Sequence, residues 1–149
     1  MKYLLLFFTL LFFSSCSVPI PQDISHNDTY NQVLGKQYKL LKPLPIHADL
    51  VDDYKSKKIL SYTITKFPGY GNRYVLWQKT LPKDTIVTID KAMSYSNLLG
   101  SIFVLTVKTD NETFKMYNDA FVEIRSDLTI QTKDKQYIIL NPMYFEEIK

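Results

Sequence analysis

The side chains best suited to bind a metal ion or to take part in catalysis lie between positions 47 and 53. His47-Ala48-Asp49 and Asp52-Asp53 gather one imidazole and three carboxylates. Such groups could bind zinc or a hard cation, but zinc needs three or four ligands in a fixed tetrahedral set. Calcium loops turn on a glycine, which this stretch lacks. We therefore expect a solvated loop here, and we predict no metal and no cofactor.

An enzymatic site is not indicated. Histidine is the usual general base, and the chain has only His26 and His47. His26 falls in a stretch that we expect to be flexible, and a Ser-His-Asp set through His47 would lack the Gly-x-Ser-x-Gly turn. We expect a protein that is not an enzyme. A small-molecule-binding or enzymatic barrel, with a carboxylate beside His47 in a deep pocket, is the alternative.

The stretch from Phe67 to Tyr74 reads Phe-Pro-Gly-Tyr-Gly-Asn-Arg-Tyr and has the composition of a binding loop. Tyr and Arg concentrate binding energy at interfaces, so we predict that Tyr70, Arg73 and Tyr74 contact a partner. Stacking of a tyrosine on a cell-wall sugar is another use. The opposing interpretation is that Phe67 and Tyr74 plug the end of a barrel and only Tyr70 is exposed. Trp77 is expected in the core.

Cys16 is the only cysteine, so no disulfide can form within one molecule. It is preceded by Lys2, an apolar run from Leu4 to Phe13, and Ser14-Ser15. These are the parts of a secretory signal. The run is far shorter than the roughly 20 apolar residues that a membrane span needs.

Phe13-Ser14-Ser15-Cys16 resembles the lipobox of bacterial lipoproteins. The resemblance implies that residues 1–15 are removed and that the thiol of Cys16 receives the lipid. It also implies that Ser17 is compatible with transfer to the outer membrane. We accordingly expect a signal peptide at 1–15, a lipidated cysteine and flexible tether at 16–31, and a β domain at 32–149 that faces the periplasm.

The charges do not favour a nucleic-acid partner. The chain has 18 basic and 15 acidic side chains, and they are interspersed rather than gathered on a basic stretch. A nucleic-acid footprint requires such clustering. The charges instead indicate an ordinary solvated surface.

Beyond residue 32 the patterns indicate strands. Lys58 to Lys66 and Ser101 to Thr109 alternate apolar and polar residues, and Asp110-Asn111 predicts a hairpin into Glu112 to Tyr117. Short strands at roughly ten-residue spacing predict a mainly β fold, a small antiparallel barrel or a sandwich, with short helical turns. Further strands are predicted at 73–78, 85–90, 121–124, 128–132 and 136–140, and helical turns at 29–34 and 141–148, whereas 46–54 and 91–100 are unassigned.

Leu81-Pro82-Lys83-Asp84-Thr85 precedes a β-branched run. This order is similar to SH3-like barrels of bacterial envelope proteins, in which a comparable turn leads into a buried strand. The resemblance implies an SH3-like barrel.

The expected function is that of a lipoprotein whose tethered β domain is a non-catalytic binding module for an envelope protein or peptidoglycan. Its membrane contact is the lipid on Cys16. The alternative within this class is an immunity or inhibitor lipoprotein that neutralises a periplasmic toxin or lytic enzyme.

Overall fold

The computed structural model describes residues 21–51, 58–69, 74–97, 100–134 and 136–149. Strands make up 53% of them, and the only helical elements among them are 3-10 turns at Asp28–Tyr30, Lys115–Tyr117 and Ser126–Leu128. The predicted mainly β fold is confirmed. The strands are β1 Pro21–Asp23, β2 Gln37–Leu40, β3 Leu44–Leu50, β4 Ile59–Ile64, β5 Val75–Leu81, β6 Ile86–Asn97, β7 Gly100–Val107, β8 Phe121–Arg125, β9 Thr129–Gln131, β10 Ile138–Leu140 and β11 Phe145–Ile148.

Nine of these strands form one sheet, in the order β11-β2-β6-β7-β8-β4-β3-β5, and β1 pairs with β6 beyond this path. β9 and β10 form a separate two-stranded sheet. The central pair β4–β8 is parallel and the other pairs are antiparallel. The sheet is therefore mixed, and the expectation of a wholly antiparallel arrangement was wrong.

The sheet is strongly curled. β2 and β3 stand five places apart in the sheet, which is about 24 Å in a flat sheet at about 4.8 Å per strand. The link between them is only Leu41–Pro43, so the Cα atoms of Leu40 and Leu44 lie at most about 14 Å apart. The terminal strands β11 and β5 do not pair with each other in the described part of the chain. The result is a curled open sheet, not a closed barrel.

The turn after β5 joins the two ends of the curled sheet. The backbone N–H of Leu40 donates to the carbonyl of Thr85 at 2.9 Å, and that of Asp84 donates to Leu40 at 2.8 Å. Asp84 has a φ of 67°, and the Thr85 hydroxyl donates to the carbonyl of Pro82 at 2.8 Å. Two backbone hydrogen bonds therefore hold the two ends of the sheet together, whereas a closed barrel would use a full pairing of strands.

The core lies on the inner face of the sheet. Alternate residues such as Ile46, Ile64 and Leu105 are fully buried there, as the period-2 alternation of a half-buried strand dictates. The 3-10 turns and the small sheet cover them. Phe114 is completely buried, and its backbone N–H donates to Asn111 Oδ1 at 3.1 Å. Glu112 to Tyr117 consequently forms turns, and the hairpin predicted there was wrong.

Three further differences concern segments where local patterns were weak. The stretches at 46–54 and 91–100 contribute much of β3 and the second half of β6. After Asn141, whose Oδ1 accepts from Met143 N at 3.0 Å, one turn leads into strand β11 instead of the predicted helical turn. Pro21 to Asn31, assigned from sequence to the tether, forms β1 and the first 3-10 turn, and Tyr30 is buried in the core.

Candidate functional site

The predicted binding stretch lies between two strands, β4 and β5, that run in the same direction. β4 and β5 lie on either side of β3, and both run antiparallel to it. β4 ends beside Ile46, whereas β5 begins beside Asp49. The chain between Thr65 and Tyr74, here called the crossover, therefore connects strands on opposite sides of β3. Residues 65–69 and 74 of it are described.

Contacts at Gln78 show which face the crossover covers. Gln78 is the register partner of His47, whose side chain lies on the outer face opposite the core. The Gln78 side-chain amide donates to the carbonyl of Pro68 at 3.3 Å. A Cβ atom at Gly69 would lie only 2.7 Å from Gln78 Oε1, and Gly69 has a φ of +78°. The first half of the crossover therefore lies over the outer face beside His47.

Both ends of the crossover present aromatic rings to solvent. Phe67 is 59% exposed and Tyr74 is 39% exposed. The interpretation in which these two rings plug the end of a barrel was therefore wrong. The backbone of Tyr74 is held in place, since its carbonyl accepts from Leu50 N at 2.7 Å. Tyr70 and Arg73, the other predicted binding residues, lie outside the described residues, as does Cys16.

Edge strand β5 extends this exposed surface. Leu76 is exposed beside Tyr74, at a register shift in the pairing of β5 with β3. Trp77 points to the other face and packs against the core, with ring centroids 5.7 Å from Tyr62 and 6.2 Å from Tyr117. This agrees with the expectation that Trp77 is a core residue. It leaves Phe67, Tyr74 and Leu76 as the apolar side chains offered at this edge.

His47 and Asp49 do not lie in a solvated loop, contrary to expectation. They alternate with the buried Ile46, Ala48 and Leu50 on β3, so both side chains point to the outer face. His47 is completely buried and the Asp49 side chain is 16% exposed. Asp52 and Asp53 lie outside the described residues. Within the described ranges, no group of three or more His, Cys, Asp or Glu side chains could hold a metal ion.

The geometry around Asp49 is not that of a nucleophile and its base. Oδ2 of Asp49 accepts from the Thr63 hydroxyl at 2.6 Å and lies 3.4 Å from Nε2 of His47. The carboxylate therefore stands between the hydroxyl and the imidazole. In a catalytic triad the imidazole stands in the middle and takes the hydroxyl proton. This arrangement instead fixes Thr63 and His47 in place on the outer face.

A second buried carboxylate, Glu123 on β8, continues the polar row. It is 4% exposed and accepts from the Tyr95 hydroxyl at Oε1. Burial raises the pKa of Glu123 above its usual value, and hydrogen bonds from Tyr95 and Ser61 oppose the shift. Burial and the bond to Glu123 likewise raise the pKa of Tyr95. Because the Ser61 hydroxyl lies 3.4 Å from that of Thr63, a polar row runs from Tyr95 to Asp49.

Sequence reasoning missed Glu123 because the residue alternates with apolar neighbours. In Phe121-Val122-Glu123-Ile124 the pattern predicts that Val122 and Ile124 face the core and that Glu123 faces water. Ser61, Thr63 and Glu123 lie on the same face of the paired strands β4 and β8. This relationship could not be seen in the sequence, because it depends on a parallel pairing between distant strands.

Two open depressions occur elsewhere on the described surface. One, of about 750 Å³, is lined by residues that include Asp84, Thr85, Lys108 and Asp110. The other, of about 380 Å³, is lined by residues that include Asp90, Lys108 and Asp119. Neither is lined by His47 or Glu123. They therefore do not supply the pocket beside His47 that the enzymatic alternative requires.

Comparison with known proteins assigns no family. No protein-family model, no curated protein and no solved structure matches this chain. Of the residues described here, none form a helix of the length and apolarity needed to cross a membrane.

Proposed function

We propose that this chain is a lipid-anchored protein of the bacterial envelope whose β domain binds a protein partner. The partner contacts the crossover and the adjoining part of β5, through Tyr70, Arg73 and Tyr74. The anchor rests on the sequence of residues 1–16, where the leader ends in Phe13-Ser14-Ser15-Cys16. The domain has no catalytic role in this proposal.

The observation that carries the binding role is the exposure of Phe67 and Tyr74 at the two ends of one connection. Large apolar side chains that are exposed on one connection favour an interaction surface there. Leu76 adds to the same surface from β5. The exposed Phe67 and Leu76 favour a protein over a cell-wall glycan, because neither side chain can form hydrogen bonds with sugar hydroxyls.

The position of the surface at a sheet edge also favours binding. β5 ends the sheet, and no described strand pairs with its outer side. Edge strands offer unpaired backbone groups to another chain. Lys79 in the middle of β5 is exposed, with its Nζ 5.0 Å from the centre of the Trp77 ring. A lysine on an edge strand opposes pairing with the strands of other proteins. In this proposal the partner is therefore selected by side-chain contacts of the crossover.

The likeness to SH3-like barrels stays a prediction within this proposal. Its support is the turn from Leu81 to Thr85, which leads into β6 with Thr85 buried. An inhibitor or immunity role is the sharper form of the same function, and the identity of the captured partner distinguishes it.

The test is photocrosslinking and affinity capture from membranes with the full-length protein. Tyr70→Ala, Arg73→Ala and Tyr74→Ala should each reduce capture of one defined partner. The matched control is Ile130→Ala, because Ile130 is as exposed as Tyr74 but belongs to the separate β9–β10 sheet. A toxin or lytic enzyme as the partner identifies the inhibitor role. Capture that the crossover variants leave unchanged overturns the proposed surface.

A further inference from the structure

We propose that the end of the β6–β7 hairpin is the membrane-proximal end of the anchored protein and contacts the lipid headgroups. This inference rests on the proposed lipid anchor at Cys16. The contact surface consists of the exposed Ser96, Ser101 and Ile102 beside Tyr95. It is distinct from the crossover, which binds the protein partner.

The first argument is the length of chain between the anchor and the fold. β1 begins at Pro21, five residues after Cys16. Five residues span at most about 18 Å when fully extended. The headgroup layer takes up about 5–8 Å of that distance. The lipid therefore holds Pro21 close to the membrane surface. The five residues are too short to let the whole domain move away from the membrane.

The second argument is the direction in which the chain leaves the domain. β1 runs antiparallel to β6, with Asp23 opposite Met93 and Pro21 opposite Tyr95. The N-terminal end of β1 is therefore directed toward the end of the β6–β7 hairpin. Ile86, at the other end of β6, is about 30 Å from Tyr95 along the strand.

β1 is firmly attached, so this geometry persists. Ile24 N donates to the carbonyl of Ala92 at 2.9 Å, and Ala92 N donates to the Ser25 hydroxyl at 3.0 Å. Asp23 also lies 3.6 Å from the Lys91 ammonium. The chain that follows β1 is held by Tyr30, which is buried in the core.

The third argument is the chemistry of the hairpin end. β8 pairs with β7 only from Val104 onward, so the preceding part of the hairpin extends beyond the rest of the sheet. Ile102 is 55% exposed there. The sequence contains no charged residue between Lys91 and Lys108. An uncharged end with an exposed isoleucine suits the boundary between headgroups and acyl chains, where apolar side chains are favoured.

The test places a fluorophore at each end of β6 in the full chain, processed with its own leader. Ser101→Cys labels the hairpin end. Thr113→Cys is the control, because Thr113 is exposed beside Ile86, whose carbonyl accepts from the neighbouring Asn111. The protein is reconstituted in phosphatidylethanolamine–phosphatidylglycerol vesicles that contain a headgroup-labelled quencher lipid. Each introduced cysteine is the only free thiol once Cys16 carries its lipid.

We expect quenching to be several-fold stronger at position 101 than at position 113. Ile102→Asp should weaken the quenching at 101, whereas Ile130→Asp should not. Equal quenching at both positions would overturn the proposed orientation. A signal at position 101 that depends on protein concentration and not on lipid would also overturn it, because it would indicate contact between copies of the protein. Failure of the anchor itself is seen separately, since unlipidated parent protein reacts with the thiol dye at Cys16.

Discussion

The hydroxyl of Tyr95 donates a hydrogen bond to Oε1 of Glu123, although strand β7 lies between the two strands that carry them. The tyrosine thus reaches across a whole strand on the outer face. A buried carboxylate is costly unless it is hydrogen-bonded. This bond therefore connects the projecting hairpin to the centre of the sheet, where Glu123 also contacts Ser61.

Removal of the tyrosine hydroxyl should destabilise the fold. We expect Tyr95→Phe to lower the free energy of unfolding by about 1–3 kcal/mol, because it removes a donor from a buried carboxylate. The measurement is urea denaturation of the wild type, both single variants and the double variant with Glu123→Gln. The loss should be smaller in the Glu123→Gln background, as expected for coupled groups. Equal losses in both backgrounds would contradict the coupling.

The burial of Glu123 should make stability depend on pH. Burial raises its pKa in the folded state above the 4.5 of an exposed glutamate, so the folded state binds more protons than the unfolded state just above that value. The free energy of unfolding then decreases as the pH rises from about 4.5 through the folded pKa. Glu123→Gln should flatten this decline when both proteins are unfolded between pH 4 and 8. A wild type that gains stability over this range relative to the variant would refute the assignment.

Gly69 should tolerate substitution less well than Gly35. Both have a positive φ, but only Gly69 would bring a Cβ to 2.7 Å from Gln78 Oε1, whereas nothing lies within 4 Å of one at Gly35. Gly35→Ala should cost about 1–2 kcal/mol from backbone strain alone. Gly69→Ala should cost about 1 kcal/mol more, through loss of the Gln78 bond to Pro68. In a Gln78→Ala background the two glycine substitutions should cost the same in thermal or urea unfolding.

Phe114 should be among the most sensitive core residues. Its ring is completely buried, so Phe114→Ala should lower the free energy of unfolding by about 3–5 kcal/mol through the cavity that it leaves. Met116, two residues on, is 67% exposed. Met116→Ala should change stability by no more than about 0.5 kcal/mol. Similar losses for both variants would show that the turn at 112–117 does not insert Phe114 into the core.

Local patterns predicted those strands whose two faces differ in polarity. Leu60 to Thr65 alternates clearly, and β4 lies there. β3 carries Pro45 and His47 between apolar residues and is buried on both faces, so its alternation is hidden. In β6 a register shift between Ile89 and Ala92 breaks the period in the middle of the strand. Strands of this kind become evident only once their neighbours in the sheet are known.

Composition predicted a binding stretch at 67–74, which stays a prediction, whereas the buried polar row was not predicted. Tyr and Arg near two glycines already indicate a binding loop at 67–74. In contrast, the burial of His47 depends on which face of the sheet the crossover covers, and the contacts of Pro68 and Gly69 with Gln78 are what show it. Glu123 likewise meets Ser61 and Thr63 through a pairing of distant strands. Neither relationship is encoded within a short window of sequence.

The parallel pair β4–β8 also limits the order in which the strands can pair during folding. Ser61 pairs with Phe121, so the strand pairing that joins the two halves of the sheet is between segments far apart in the chain. Pairings between distant segments form slowly, because the entropy of closing the intervening loop is lost before contacts compensate it. A chain that emerges from its N-terminus thus cannot pair β4 with β8 until Arg125 is free. Until then only pairings between strands near in the chain, such as β3–β4 and β6–β7, can form.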